Sequence, residues 1–344
     1  MIALLAAAIT TLLLLELLRR VAVPMELVDH PDTKRKFHDV ATPVVGGLAI
    51  FCGWAAGWWM LIDGPIPRAE AALFIGMGVL ALMGVMDDRY DLSVRFRLTA
   101  QVVVALMLDL WGGVGLDHFG DLFGLGVIEL APFGTLFTVI CVVGVINALN
   151  MIDGMDGVCG SVTLAAMVVM ALLCQLSGYT QVGALAWLFV ACLVPFLLFN
   201  LRVPGRPRAK LFLGDAGSMV LGYALAWFAM VITQAPSSTT SPAVVLWVVL
   251  IPLFDLFGSV FRRALDGSGP LDGDRRHLHH LMAAMGVPVA WVAPLMAGVG
   301  ILAGGMAILY TYLEMLGPFP FFLIVLLFLF YLRFIRRFWR RHSL

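Results

Sequence analysis

Long apolar runs recur along this sequence and constrain its fold more than any other feature. A helix needs about 20 predominantly apolar residues to cross the hydrocarbon core of a bilayer. Of the 344 residues, 61% are hydrophobic and 13% are charged, whereas soluble domains carry about 25% charged residues. We therefore predict an all-α polytopic membrane protein, with one integral-membrane domain over residues 1–344. The eleven predicted spans are 2–20, 44–62, 69–86, 98–116, 132–149, 158–177, 181–200, 215–234, 243–262, 289–313 and 318–335.

The basic residues predict the orientation of these spans. With eleven spans, every Lys and Arg except Arg68 falls on one side of the membrane. The positive-inside rule makes that side cytoplasmic, so we expect a periplasmic N-terminus and a cytoplasmic C-terminus with a basic tail, residues 333–344. Polar segments on the same side are expected to form the active site: 29–47, 87–97, 147–157, 200–218 and 262–280.

Residues 147–157 are the most informative of these segments. Asn147, Asn150, Asp153 and Asp156 recur every three residues, so a helix would place them along one side. Amide and carboxylate oxygens are the hard ligands that Mg²⁺ prefers. A polar inter-helix loop would explain the two amides alone, but acids beside apolar spans are costly and usually functional.

Two further acidic segments lie at the ends of apolar runs. Asp87 and Asp88 end the third run, and adjacent carboxylates repel each other unless positive charge lies nearby. Asp215 opens the eighth run, where it could bind a metal while helix amides face a phosphate. The alternatives are a solvated helix end for the pair and helix capping by Asp215 or Ser218.

Basic residues supply the opposite charge. Three His and two Arg occur within residues 275–280, a composition that suits a diphosphate. A zinc site and a solvated loop are the alternatives, although no Cys accompanies the histidines as a zinc ligand would. Lys36 and His38 add polar and basic groups at the membrane surface. Together these segments indicate attack by a lipid-borne phosphate on a nucleoside diphosphate, with acids holding Mg²⁺.

A secondary transporter of anionic metabolites or lipid-linked sugars is a rival interpretation. It predicts charged groups near the bilayer midplane. Asp109 and Asp255 are the clear candidates within spans, and both lie near span ends. The dense polar motifs share one face, which favours the enzyme. A membrane scaffold would not need potential metal ligands in several loops.

The sequence resembles the polyprenyl-phosphate N-acetylhexosamine-1-phosphate transferases, a family that includes the MraY translocases. Residues 29–282, which we interpret as the catalytic core, carry that family's motifs in order. These are DDxxD at 87–91, NxxNxxDGxDG at 147–157, FxGDxGS at 212–218 and HxHH at 277–280. The sequence DDRYD, in place of the DDxxK of MraY, is most similar to the bacterial undecaprenyl-phosphate GlcNAc-1-phosphate transferases, the WecA type.

The resemblance implies a reaction. UDP-GlcNAc and undecaprenyl phosphate would give GlcNAc-diphospho-undecaprenol and UMP, the first membrane step of O-antigen or other surface polysaccharide synthesis. The implied cofactor is Mg²⁺, with Mn²⁺ as a substitute, and the implied location is the bacterial inner membrane. We expect no nucleic-acid partner, and a homodimer stays open. UDP-GalNAc, UDP-QuiNAc and UDP-MurNAc-pentapeptide also stay open as donors, because the motif residues are expected to bind phosphates and uridine rather than the sugar.

The resemblance also implies residue roles. It assigns the metal to Asp215 and Asn150 and uridine contacts to Asn200 and Phe212. A two-step route through a phospho-aspartate at Asp87 or Asp88 stays open beside direct displacement. The predicted catalytic residues are Asp87, Asp88, Asp153, Asp156 and His279. The other predicted binding residues are Arg262, Arg263, His277, His280, Lys36 and His38.

Overall fold

The computed structural model describes residues 1–29, 41–235, 240–267, 276–313 and 318–342. These residues form α-helices and one two-stranded sheet, and the predicted all-α polytopic membrane fold is confirmed. The strands are β1 (Val28–Asp29) and β2 (Thr42–Pro43). The helices are α1 (Ile2–Val21), α2 (Gly46–Trp59), α3 (Arg68–Tyr90), α4 (Val94–Leu110), α5 (Gly134–Ile152), α6 (Val158–Leu176), α7 (Thr180–Asn200), α8 (Gly214–Gln234), α9 (Pro242–Val248), α10 (Leu250–Asp266), α11 (Leu278–Ala284), α12 (Val289–Leu313) and α13 (Phe319–His342).

Within these ranges, eight helices are long and apolar enough to cross a membrane. They are α1, α3, α5, α6, α7, α8, α12 and α13. Helices α2 and α4, both predicted as spans, have 14 and 17 residues, fewer than the roughly 20 that a perpendicular crossing needs. The count of eleven spans and the orientation built on it therefore stay predictions.

The predicted ninth span differs most from a straight helix. Helix α9 ends at Val248, and α10 starts at Leu250 after a bend of 89°. Because α10 starts there, Pro252 lies in its first turn, where the missing N–H removes no helical hydrogen bond. The two helices form a broken span or a re-entrant segment, and α10 carries its polar residues away from the line of α9.

Helix α8 is at the centre of the bundle. It packs against α2, α3 and α5. In its most apolar 18-residue stretch, 89% of the residues are buried in the bundle, whereas the corresponding share in α13 is 17%. Apolar side chains on a peripheral helix such as α13 face lipid, whereas those of α8 face other helices. Any side chain at the start of α8 therefore lies among the ends of several other helices.

A backbone junction ties the start of α2 to the start of α8. Strand β2 pairs antiparallel with β1, with Val28 opposite Pro43. The Phe212 N–H donates to the Pro43 carbonyl at 2.7 Å, and the Gly46 N–H donates to the Phe212 carbonyl at 3.0 Å. These bonds satisfy backbone groups outside helices and fix Phe212 shortly before α8 begins at Gly214.

Candidate active site

Two glycines allow α2 and α3 to reach the start of α8. A Cβ atom on Gly84 of α3 would lie 2.2 Å from the Cα of Ala216, and one on Gly47 of α2 would lie 2.1 Å from the amide nitrogen of Gly217. Close helix approach through small residues is common in membrane bundles. Because Asp87 and Asp88 follow Gly84 within about one turn, this approach brings them to Asp215 in the first turn of α8.

Three carboxylates meet at that point, and we call Asp87, Asp88 and Asp215 the acid cluster. The Arg97 Nη1 lies 2.7 Å from the Asp87 Oδ2 and 3.5 Å from the Asp215 Oδ2. The Asp215 backbone N–H donates to the Asp88 Oδ1 at 3.2 Å. The side-chain amide of Asn150 donates to the Asp215 Oδ1 at 2.6 Å. One guanidinium thus bridges two of three closely spaced carboxylates.

The acid cluster fits a divalent cation. The Asp88 Oδ2 is buried and has no hydrogen-bond partner among the residues that the structure describes, and leaving a buried acceptor unsatisfied is costly. Carboxylate oxygens are the ligands that Mg²⁺ prefers, and Mg²⁺ usually takes one or two carboxylates together with water and substrate phosphates. In the described part of the chain, no three His, Cys, Asp or Glu side chains are arranged so that together they could hold a metal ion. Asp88 and Asp215 therefore suit a cation that draws its remaining ligands from substrate and water.

Asp153 follows the last residue of α5 and lies close to the acid cluster. Burial of its carboxyl group raises the pKa of Asp153 well above its usual range, and the negative charges of Asp215, Asp88 and Asp156 raise it further. Both effects disfavour the ionised form. Asp153 therefore retains its proton more readily than an ordinary aspartate until positive charge enters the site.

Asp156 faces a different partner. Its Oδ2 accepts from the Arg202 Nε at 2.7 Å and from the Ala209 backbone N–H at 3.1 Å. Both donors lie in the loop between α7 and α8. Asp156 thereby fixes that loop to the end of the segment at 147–157.

The other predicted basic group forms the histidine cluster, His277, His279 and His280, around the start of α11. The rings of His277 and His279 are stacked with centroids 5.8 Å apart, and the His279 and His280 centroids are 4.2 Å apart. A Cβ atom on Gly154 would lie 2.6 Å from the His279 Nε2. Only glycine at position 154 allows the histidine cluster to contact the segment at 147–157 in this arrangement.

His279 is an uncharged member of the histidine cluster. Burial, with a smaller contribution from the neighbouring His280, lowers the pKa of His279 to about 3. The ring is fully buried, and neither ring nitrogen has a hydrogen-bond partner within the described residues. Because of its lowered pKa, His279 is uncharged at neutral pH.

The predicted uridine residues, Asn200 and Phe212, have structural contacts of their own. The Asn200 Oδ1 accepts from the Gly157 N–H at 2.8 Å, and its Nδ2 donates to the Leu211 carbonyl at 2.9 Å. The side chain of Asn200 is thus occupied in joining α7 to the segment at 147–157. Phe212 is partly buried and is held through its backbone by the junction with Pro43.

The remaining predicted residues have different outcomes. Arg262 on α10 donates through its Nη2 to the Ser259 Oγ at 3.2 Å, and Arg263 follows it on the same helix. Lys36 and His38 lie outside the described residues. The structure therefore brings Asp87, Asp88, Asn150 and Asp215 into direct contact, but it separates Asp156 from them.

Three interactions at the site did not emerge from the sequence. Arg97 pairs with Asp87 from the next helix, and Arg202 pairs with Asp156 across 46 residues. Neither arginine carries a distinguishing sequence pattern. Asp255 pairs with His277 at 2.8 Å. Its signal in the sequence is a charged residue within an apolar run, a pattern that a transporter pathway also predicts.

Comparison with known proteins places this site within one family. A family model described as glycosyl transferase family 4 matches residues 71–233, which include the whole acid cluster. The undecaprenyl-phosphate alpha-N-acetylglucosaminyl 1-phosphate transferase of Salmonella typhi is 35% identical over 303 residues, covering 85% of this chain and 81% of the relative. Proteins of the same name are 33% identical over 300 residues in Escherichia coli K12, with 85% and 81% coverage, and 32% identical over 329 residues in Yersinia pestis, with 94% and 87% coverage. The resemblance to the polyprenyl-phosphate N-acetylhexosamine-1-phosphate transferases is thus confirmed, and the chain belongs to glycosyl transferase family 4.

Proposed function

We propose that this enzyme transfers GlcNAc-1-phosphate from UDP-GlcNAc to undecaprenyl phosphate and releases UMP. The observation that carries the proposal is the acid cluster, where three carboxylates meet at the ends of membrane helices and the Arg97 guanidinium bridges two of them. Relatives aligned over 85% of the chain are named for undecaprenyl phosphate and N-acetylglucosaminyl 1-phosphate transfer. The donor's sugar is supported by those names rather than by a contact in the site.

The proposed site faces the cytoplasm from a bacterial inner membrane. The distribution of Lys and Arg in the sequence supports this side, and the nucleotide donor would reach the site from there. The loops and helix ends that carry the acid cluster and the histidine cluster belong to the same side in the predicted topology.

The acceptor needs positioning more than activation. A phosphate monoester is largely ionised at pH 7, because its second pKa is about 6. One of its oxygens attacks the phosphorus that carries the sugar, a new P–O bond forms, and the bond to the UMP oxygen breaks. Holding the two reactants in line lowers the barrier without a strong general base.

The residues of the acid cluster and their hydrogen-bond partners have different roles in this reaction. When bound by Asp88 and Asp215, Mg²⁺ or Mn²⁺ would supply positive charge to the diphosphate. Arg97 and the Leu92 N–H hold Asp87, so that its carboxylate stays beside the guanidinium that also pairs with Asp215. Asn150 orients Asp215 by its amide hydrogen bond.

The histidine cluster and Arg262 are proposed to contact the diphosphate on the donor side. His279 is neutral at pH 7 because of its lowered pKa, so it would donate a single hydrogen bond to the leaving UMP rather than a full charge. Such donors stabilise charge that develops in the transition state. The contact between His279 and Gly154 places this function next to the segment at 147–157.

A transfer assay with purified protein in detergent tests the proposal. Undecaprenyl phosphate and Mg²⁺ are offered with labelled UDP-GlcNAc, and with UDP-GalNAc, UDP-QuiNAc and UDP-MurNAc-pentapeptide in parallel. We expect chelator-sensitive label in the lipid phase and one UMP per transfer, from UDP-GlcNAc only. Transfer from another donor alone would correct the sugar. Folded protein that transfers none of the four would contradict the proposed reaction.

A further inference from the structure

Asp255 is a buried acid that the proposed reaction does not use. It lies on α10 with 1% of its surface exposed, and none of the hydrogen bonds that it makes reaches the acid cluster. A buried carboxylate is strongly destabilising unless charged or hydrogen-bonding partners compensate it. Its partners therefore indicate why the chain has an acid at this position.

Both carboxylate oxygens of Asp255 contact residues at the start of α11. The Oδ2 lies 2.8 Å from the His277 Nδ1, and the Oδ1 accepts from the Leu278 backbone N–H at 2.8 Å. The Tyr331 hydroxyl is a longer contact, 3.5 Å from the Oδ1. One carboxylate on α10 thus holds both a histidine ring and the first backbone amide of the helix that carries the histidine cluster.

Other groups around His277 cannot replace this contact. The Ser259 Oγ is 3.4 Å from the His277 Nδ1, and that hydroxyl also accepts from Arg262 at 3.2 Å. A serine hydroxyl can donate or accept, so it does not select a tautomer. The carboxylate only accepts when ionised, and it therefore requires a hydrogen on the Nδ1 of His277.

We propose that Asp255 is a positioning residue that fixes the tautomer and orientation of His277, and through the stacked rings the whole histidine cluster. This inference rests on the proposed function, in which that cluster contacts the donor's diphosphate. With its Nδ1 hydrogen directed to Asp255, His277 has its Nε2 on the far side of the ring. A carboxylate that orients a histidine in this way sets which nitrogen serves a ligand.

The stacked rings of His277 and His279 connect Asp255 to the segment at 147–157. His277 lies face to face with His279 at an interplanar angle of 12°, and His279 abuts Gly154. Rotation of the His277 ring would displace the ring stacked on it, because packed interiors leave few gaps. Asp255 thus acts on the segment at 147–157 without touching it.

The Asp255→Asn variant distinguishes the effect of Asp255 on the His277 tautomer from its hydrogen bond to the start of α11. The amide oxygen can still accept from Leu278, but the amide nitrogen then faces the His277 Nδ1 and favours the reversed tautomer, as in a serine protease triad with the equivalent change. We expect kcat to fall on the order of tenfold to hundredfold, with little change in KM for undecaprenyl phosphate. Tyr331→Phe is the matched control, and it should keep the wild-type rate.

A double-mutant cycle decides whether Asp255 acts through His277. If it does, Asp255→Asn causes little further loss of activity in a His277→Ala background, because coupled residues are not additive. Losses that multiply in the double variant would overturn the proposal. Equal rates for Asp255→Asn and wild type would overturn it as well.

Nitrogen NMR of the wild-type protein provides a test that needs neither turnover nor a stable Asp255 variant. With ¹⁵N-labelled histidine, and His277→Ala for assignment, the His277 Nδ1 should carry the hydrogen at pH 7. An Nε2-protonated neutral ring would contradict the proposal. This result is independent of the transfer assay, so a failure of the proposed reaction and a failure of the positioning role are distinguishable.

Discussion

The acid cluster and the histidine cluster differ in how negative charge is balanced around them. In the acid cluster, Arg97 pairs with Asp87 and Asp215, and within the described residues the Asp88 Oδ2 has no hydrogen-bond partner. In the histidine cluster, the carboxylate of Asp255 is matched by a ring nitrogen and a backbone amide. The acid cluster has excess negative charge, whereas the histidine cluster is anchored by internal pairing.

Because of this difference, mutations in the two clusters should affect different properties of the enzyme. Crowded carboxylates disfavour each other's ionisation, and an external cation relieves that repulsion. Changes in the acid cluster should therefore alter metal binding and turnover together. Changes around the histidine cluster should alter its geometry and its pH dependence while metal binding persists.

The largest expected effect is that of Asp215→Asn. The change removes one negative charge and a metal-binding oxygen at the point where α3, α5 and α8 meet. We expect the transfer rate to fall on the order of a thousandfold, measured as label entering the lipid phase. Asp91→Asn is the control, because Asp91 is exposed at the end of α3 with φ of 50°, a conformation that Asn accepts readily. Equal losses in the two variants would contradict a special role for the acid cluster.

Replacing Arg97 tests how far one guanidinium neutralises the acid cluster. Arg97→Gln leaves the buried Asp87 without its ion pair. Because Arg97 is partly exposed, we expect a loss of about 2 to 3 kcal/mol in unfolding free energy with chelator present, as for hydrogen bonds to charged groups. Added Mg²⁺ should restore part of this stability, because a bound cation opposes the same repulsion. Arg95→Gln, on the exposed side of α4, should melt as wild type does. A decrease in Tm that Mg²⁺ leaves unchanged would show that Arg97 is only a packing residue.

Gly84 tests the backbone approach that creates the acid cluster. In Gly84→Ala, the new Cβ atom would collide with α8 at Ala216, and overpacking of this kind costs about 1 to 3 kcal/mol. We expect a lower Tm and a loss of transfer activity, because Asp88 moves away from Asp215. Gly78→Ala on the same helix places its Cβ atom 3.4 Å from a Phe51 ring atom and should be nearly neutral. Activity retained in both variants would contradict the importance of this approach.

The smallest expected effect is on acid stability. The folded pKa of His279 is about 3, below the ordinary value of 6.5, so between these values the unfolded chain binds a proton that the folded chain does not. Stability is therefore lost as the pH falls from 6.5 towards 3. His279→Asn should reduce the fall of Tm over that range in thermal melts. A slope equal to that of wild type would contradict a neutral buried His279.

The sequence was most informative where chemistry and apolar patterning coincide. Asp88, Asn150 and Asp215 stand out because each is polar at the edge of an apolar run, and the structure places Asn150 and Asp88 within hydrogen-bond distance of Asp215. The pairing of Arg97 or Arg202 with a particular acid depends on how helices pack. That packing depends in turn on glycines such as Gly84, whose neighbours across the bundle are not visible in a linear sequence.

The bend between α9 and α10 was missed for a related reason. Residues on both sides of Val249 are equally apolar, so composition gives no signal of the break, and Pro252 is tolerated within membrane helices. Asp255 then lies on a helix of a different direction, beside His277 rather than on a pathway through the membrane. The charge in an apolar run was a correct signal of a polar site, but its partner is set by tertiary structure.

Mn²⁺ binding, followed by electron paramagnetic resonance without substrate, tests the contrast between the clusters most directly. Wild-type protein and Asp255→Asn should bind Mn²⁺ alike, because Asp255 contacts the histidine cluster and not the acid cluster. Asp215→Asn should bind it more weakly by on the order of tenfold or more, since a lost metal-binding carboxylate removes charge and geometry together. Mn²⁺ affinity unchanged by Asp215→Asn, or lost equally in Asp255→Asn, would contradict the assignment of the cation to the acid cluster.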